Sequence, residues 1–112
     1  MRNTLIANKL VRDKIPEIIK SQGCNCEYII LEDEEFSKAI KDKILEEAKE
    51  LFKADTKENK IEELADLYEI LEAFCKIEGI SEEEIKNVRE NKNINKGAFK
   101  EKKFLTLYER DL

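Results

Sequence analysis

The chain has 112 residues, 26 of them acidic and 21 basic, for a net charge of −5. That length supports one domain with a modest core, and a hydrophobic share of 41% separates it from a disordered chain. The acidic balance argues against a nonspecific nucleic-acid binder, whose surface must be basic, although a bound divalent cation reverses the local field for a small anionic substrate.

Residues 1–12 read as an irregular or extended lead-in. Asp13 is a candidate N-cap, and Pro16 then falls in the first turn of a short helix, where its missing N–H costs little. That helix runs to about Gln22 and closes at Gly23. Residues 27–32 form one strand candidate and residues 103–109 another. An isolated strand leaves its backbone unsatisfied, so the two are expected to pair as a small ribbon.

The middle of the chain is helical. Asp33 can cap a helix through about Lys53, with Glu34 and Glu35 near its positive end and Phe36, Ile40, Ile44, Ala48, Leu51 and Phe52 on its apolar face. Ala54-Asp55-Thr56 breaks it. A second long helix runs from about Lys57 to Glu78 and ends at Gly79. Its apolar set, Ile61, Leu64, Leu67, Tyr68, Ile70, Leu71, Phe74 and Ile77, is broad enough to need cover on more than one side. A third begins at Ser81, which has capping-box spacing to Glu84, and fades near residues 91–95 before Gly97. No repeat or linker interrupts the chain, so residues 1–112 read as a single domain. A pair of helices this apolar needs more cover than one small chain offers. The expected fold is mostly α, with two long antiparallel helices, short flanking helices and a minor two-stranded β ribbon. Dimerisation would complete a four-helix bundle.

Cys24, Cys26 and Cys75 make an odd, sparse set that does not read as a disulfide framework. Cys24-Asn25-Cys26 is too short for paired zinc-ligand spacing, and there is no histidine. Free thiols, no long apolar run and no signal-peptide pattern point to the cytoplasm and to no membrane partner.

The chemistry lies in two acidic motifs. Glu46-Glu47-Ala48-Lys49-Glu50 falls on the first long helix and Glu63-Leu64-Ala65-Asp66 on the second. Residues three apart share a helix face, so Glu47 and Glu50 can converge on one point, as can Glu63 and Asp66. A short connection makes the two helices antiparallel neighbours and sets the pairs opposite each other. In so acidic a chain most such pairs are solvated helix faces, and Glu62, Glu69 and Glu72 fit that description. Angular position distinguishes two others. At about 100° per residue, Glu47 falls among Ile40, Ile44 and Leu51, and Glu63 falls between Ile70 and Phe74. A carboxylate near a core needs a cation or a hydrogen-bonding partner, and an all-oxygen donor set suits a hard cation such as Mg²⁺ or Mn²⁺.

This pattern, E-E-x-x-E followed after 12 residues by E-x-x-D, resembles the signature of the MazG-like all-α NTP pyrophosphohydrolases. That superfamily includes dimeric dUTPases and phosphoribosyl-ATP pyrophosphohydrolases. Asn8-Lys9-Leu10-Val11-Arg12-Asp13-Lys14-Ile15-Pro16 resembles the opening of a small group of house-cleaning members. Asn93 to Phe99 resembles their closing segment, with Lys96-Gly97-Ala98-Phe99 where Arg-Gly-Gly-Phe is frequent. The change keeps the charge and loses the bidentate fork of arginine.

The resemblance implies hydrolysis of a nucleoside triphosphate to a monophosphate and pyrophosphate, with Mg²⁺, or Mn²⁺ in its place, on Glu47, Glu50, Glu63 and Asp66. Glu46 would orient or deprotonate the attacking water, directly or through a second metal. Lys9, Arg12, Lys14, Lys43, Asn93 and Lys96 are the candidate substrate-binding residues. All but Lys96 also have a plainer role: surface charge for residues 9–14, an i,i+4 pair with Glu47 for Lys43, a helix-end cap for Asn93. Tyr68 and Phe74 fit core packing better than base stacking. Two alternatives stand beside this reading: a phosphoribosyl-ATP pyrophosphohydrolase of histidine biosynthesis, and a non-enzymatic acidic helical interaction module.

Overall fold

A computed structural model describes residues 4–111, which form four helices: α1 (Ile15–Ser21), α2 (Asp33–Lys53), α3 (Lys57–Glu78) and α4 (Glu82–Lys96). The chain divides after Gly79 into two compact units. The first contains α1, α2 and α3; the second contains α4 and the residues that follow it.

In the first unit α2 and α3 pack against each other. They are joined by only Ala54, Asp55 and Thr56, so they run antiparallel. Thr56 starts α3: its side-chain oxygen accepts from the Asn59 N–H at 3.1 Å. Gly79 ends it with φ +70°, a left-handed conformation that costs glycine little. α1 closes in a Schellman arrangement, with Gly23 N–H on the Lys20 carbonyl and Cys24 N–H on the Ile19 carbonyl.

Two capping expectations change. Asp13 lies inside a turn closed by the Ile15 N–H on the Arg12 carbonyl, and Lys14 takes the N-cap position of α1 without a side-chain cap bond. Asp33 is the first residue of α2 rather than its cap, with Glu32 in the preceding position. Asp33, Glu34 and Glu35 still place negative charge at the positive end of the dipole.

The expected β ribbon is not seen: neither 27–32 nor 103–109 is a strand, and no strand occurs among the described residues. Short apolar alternation makes a strand only where a partner satisfies the backbone, and Tyr28, Ile29, Ile30, Leu105, Leu107 and Tyr108 are all exposed.

Burial is thin and sharply located. Among the described residues Ile40 is the only buried hydrophobic side chain, at 0% exposure, and Glu47 the only buried charged one, at 8%. Phe36, Ile44 and Leu51 on α2, and Leu67, Ile70, Phe74 and Ile77 on α3, are half-buried. The opposite sides are open. Ile61, Leu64, Tyr68 and Leu71 recur along α3 at alternating spacings of three and four, and all four are exposed. Leu45 and Phe52 are the exposed large apolar residues of α2, and Ala48, expected on its apolar face, is exposed as well.

In the second unit, α4 begins with a complete capping box. Ser81 Oγ accepts from the Glu84 N–H at 3.1 Å, and a Glu84 carboxylate oxygen accepts from the Ser81 N–H at 3.3 Å. It ends at Gly97, whose φ +82° and ψ 173° lie in a region only glycine enters readily.

Candidate active site

Two helices and the lead-in segment supply the site. α2 carries Lys43, Glu46 and Glu47 on successive turns of its half-buried side. Antiparallel packing sets Glu63 and Asp66, one turn apart on α3, against that side. Oxygen atoms of Glu47, Glu63 and Asp66 lie within 4.8 Å of one another. Glu47 is buried and the other two are half-buried. The helical angles that turned Glu47 and Glu63 toward the apolar faces have a structural counterpart in this burial.

Two cations neutralise part of the cluster. Lys43 Nζ sits 3.2 Å from Glu46 and 3.5 Å from Glu47. It is itself largely covered, and so provides a fixed counter-charge for a buried carboxylate. From 54 positions away in sequence, Arg12 reaches Asp66 with a guanidinium N–H donating at 2.7 Å. Lys9 joins Asn8, Leu10, Lys43 and Glu46 around a shallow depression, so the lead-in lies against α2.

The electrostatics record the crowding. The Glu63 carboxyl is raised above its ordinary value, first by partial loss of water and next by the hydrogen bond its protonated form donates to Glu47. The charges of Glu47, Asp66 and Glu50 push in the same direction. Three carboxylates this close favour either a shared proton or a divalent cation. The donor set is all oxygen, one member is buried, and there is more negative charge than Lys43 and Arg12 offset. These residues fit a hard cation such as Mg²⁺.

Glu50 stands apart from the three. It is exposed and outside the cluster, near enough to act on Glu63 through its charge. Lys14 is exposed at the N-cap of α1. Asn93 and Lys96 belong to the second unit, in the last turn of α4, where the Asn93 carbonyl accepts from the Gly97 N–H. Tyr68 is 72% exposed and so is not a core residue within this chain, whereas Phe74 is half-buried. Helix periodicity could not have revealed the Arg12–Asp66 pair, because Arg12 lies outside any helix.

A sequence model of the phosphoribosyl-ATP pyrophosphohydrolase family matches residues 10–93. The chain belongs to that family. The matched segment contains α1, α2, α3 and most of α4, with Arg12, Lys43, Glu46 and the whole carboxylate cluster. No curated protein and no solved structure matches the chain. Family membership gives the chemistry: a pyrophosphohydrolase acting on a nucleotide. It accords with the resemblance of the acidic motifs to the MazG-like group. No helix among the described residues is long and apolar enough to cross a membrane.

Proposed function

We propose that this protein hydrolyses a nucleoside triphosphate to its monophosphate and pyrophosphate, in a Mg²⁺-dependent reaction that removes non-canonical nucleotides in the cytoplasm. The convergence of Glu47, Glu63 and Asp66 within 4.8 Å, inside the segment matched by the family, carries this reading.

Glu47, Glu63 and Asp66 would hold the cation, with Glu50 swinging in from the next turn of α2. When bound, the cation neutralises phosphate charge, polarises the phosphoryl group and lowers the pKa of water. Glu46 accepts the proton of the attacking water on its carboxylate. Lys43, at 3.2 Å, orients that carboxylate. The water oxygen bonds to the α phosphorus, the α–β bridging P–O bond breaks, and its electrons leave with pyrophosphate. Lys9, Arg12, Lys14 and Lys43, all in the first unit, offer positive charge to the phosphates. Catalysis of this kind rests on positioning and charge stabilisation.

A homodimer forms part of the same proposal. The exposed Ile61, Leu64, Tyr68 and Leu71 stripe of α3, with Leu45 and Phe52 on α2, supports it. A second copy would cover these residues and complete a four-helix bundle. A second substrate reading, phosphoribosyl-ATP, is favoured by the description of the family itself.

The test is pyrophosphate release from ordinary, deoxy and oxidised nucleoside triphosphates and from phosphoribosyl-ATP, with Mg²⁺ and with a chelator. Metal-dependent release from a modified triphosphate supports the house-cleaning reading. Preference for phosphoribosyl-ATP selects the second. If the folded protein released none and bound no Mg²⁺, the enzyme reading would fall, leaving an acidic interaction module.

A further inference from the structure

Arg12 is the one side chain of the lead-in that makes an ion pair with the carboxylate cluster, among the described residues. It does so at 2.7 Å on Asp66, across 54 positions of sequence. Its role differs in kind from that of Lys43. Lys43 stands on the same helix as Glu46 and Glu47, and its contacts persist as long as α2 does. Arg12 lies in a non-helical stretch, just before the turn that leads into α1, and it is largely exposed. Its pairing with Asp66 can open without unfolding any helix.

We propose that Arg12 is an internal counter-ion that occupies Asp66 in the metal-free protein and is displaced from it when a divalent cation binds. This rests on the metal site proposed above. Arg12 takes Oδ1 of Asp66, and a guanidinium and a divalent cation drawn to one carboxylate repel each other, so filling the site weakens the hold on the arginine. The freed guanidinium, with its planar fork of donors, is matched to phosphate oxygens. Cation binding thereby converts Arg12 from a brace on the empty site into a substrate-binding residue. The lead-in is docked before loading and released to meet the polyphosphate after it.

The distinguishing signature is a pair of opposite effects from one substitution. In full-length protein, Arg12→Gln removes the competitor, so calorimetric titration with Mg²⁺ alone is expected to show affinity about two- to fivefold tighter than wild type, the range for loss of one exposed ion pair. Titration of the Mg²⁺-loaded protein with inorganic pyrophosphate is expected to show affinity about tenfold weaker, as for loss of one charged phosphate contact. Arg12→Lys keeps the charge without the fork and falls between the two on both titrations. Circular dichroism confirms that each variant folds. In wild type, Mg²⁺ is expected to accelerate tryptic cleavage after Arg12 at least threefold relative to cleavage at other sites. In Asp66→Asn cleavage is fast with or without metal.

Unchanged or weaker Mg²⁺ affinity in Arg12→Gln overturns the proposal while leaving the metal site standing. So does tighter Mg²⁺ affinity without faster cleavage after Arg12, which would make the arginine a fixed neighbour. If wild type bound no Mg²⁺ at all, both this inference and the function it rests on would fall.

Discussion

Helix α3 presents two faces built from similar residues in opposite circumstances. One, with Glu63, Asp66, Leu67, Ile70, Phe74 and Ile77, is half-buried against α2. The other, with Ile61, Leu64, Tyr68 and Leu71, is open. Both are apolar by composition, yet the covered face is the one that carries convergent carboxylates. In that seam the Glu63 carboxyl is raised, because lost water, the hydrogen bond to Glu47 and like-charge neighbours act on it together. Glu62, Glu69 and Glu72 on the open side remain ordinary surface acids, and Glu72 pairs with Lys76 at 3.1 Å.

The contrast has consequences that can be measured. Glu47→Gln removes the buried member of the cluster, and turnover is expected to drop by about 10²-fold or more, the scale of losing a charge-stabilising contact. Circular dichroism should stay unchanged, and Glu69→Gln on the open face should keep turnover within about twofold. Equal losses in the two variants would erase the distinction between seam and surface. Tyr68→Asp puts a charge in the open stripe. If a second copy covers that stripe, the dimer should weaken by about 2 kcal/mol or more, the scale of a buried interface tyrosine. Sedimentation would then show the mass falling toward 13.2 kDa on dilution. A Tyr68→Asp protein that sedimented like wild type would leave the stripe without this partner.

The effect of pH follows from the direction of the Glu63 shift. Its folded-state pKa is raised, so the folded protein holds that proton more tightly than the unfolded chain does. The resulting stabilisation is fully present below the ordinary value of 4.5 and is lost as pH rises through the raised folded value. The melting temperature of metal-free protein should therefore fall across that window, and Glu63→Gln should flatten the fall. Mg²⁺ favours the ionised cluster and should restore stability on the alkaline side. The smallest effects belong to the caps. Thr56→Ala and Ser81→Ala should each cost about 1 kcal/mol in urea denaturation. Thr56→Ala should cost the more if α3 is stabilised from both faces.

Much of the local structure was legible in the sequence. Gly23 and Gly79 closed their helices as read, the Ser81–Glu84 box formed, and the bounds of α2 and α3 follow from apolar periodicity and the break at residues 54–56, while α4 runs on to Lys96, past the fade expected near 91–95. The inward angles of Glu47 and Glu63 were readable too, because helix geometry fixes direction from spacing alone. Asp13 and Asp33 misled because several adjacent residues can occupy a cap position, and local backbone bonds decide between them. The strand reading of 27–32 and 103–109 failed for lack of a partner, a fact no segment holds about itself.

The sequence by itself determined which residues stand on which helix face, because side-chain direction along a helix is a local property. It also carried, in two acidic motifs at a fixed separation, the resemblance that implied the class of chemistry, and the family match over residues 10–93 supports that class. Only the tertiary structure decided that Glu47, Glu63 and Asp66 meet while Glu50 stays outside, and that Arg12 closes on Asp66. These depend on how α2, α3 and a non-helical lead-in pack in space, and distances between separately folded segments are set by packing rather than by any period along the chain.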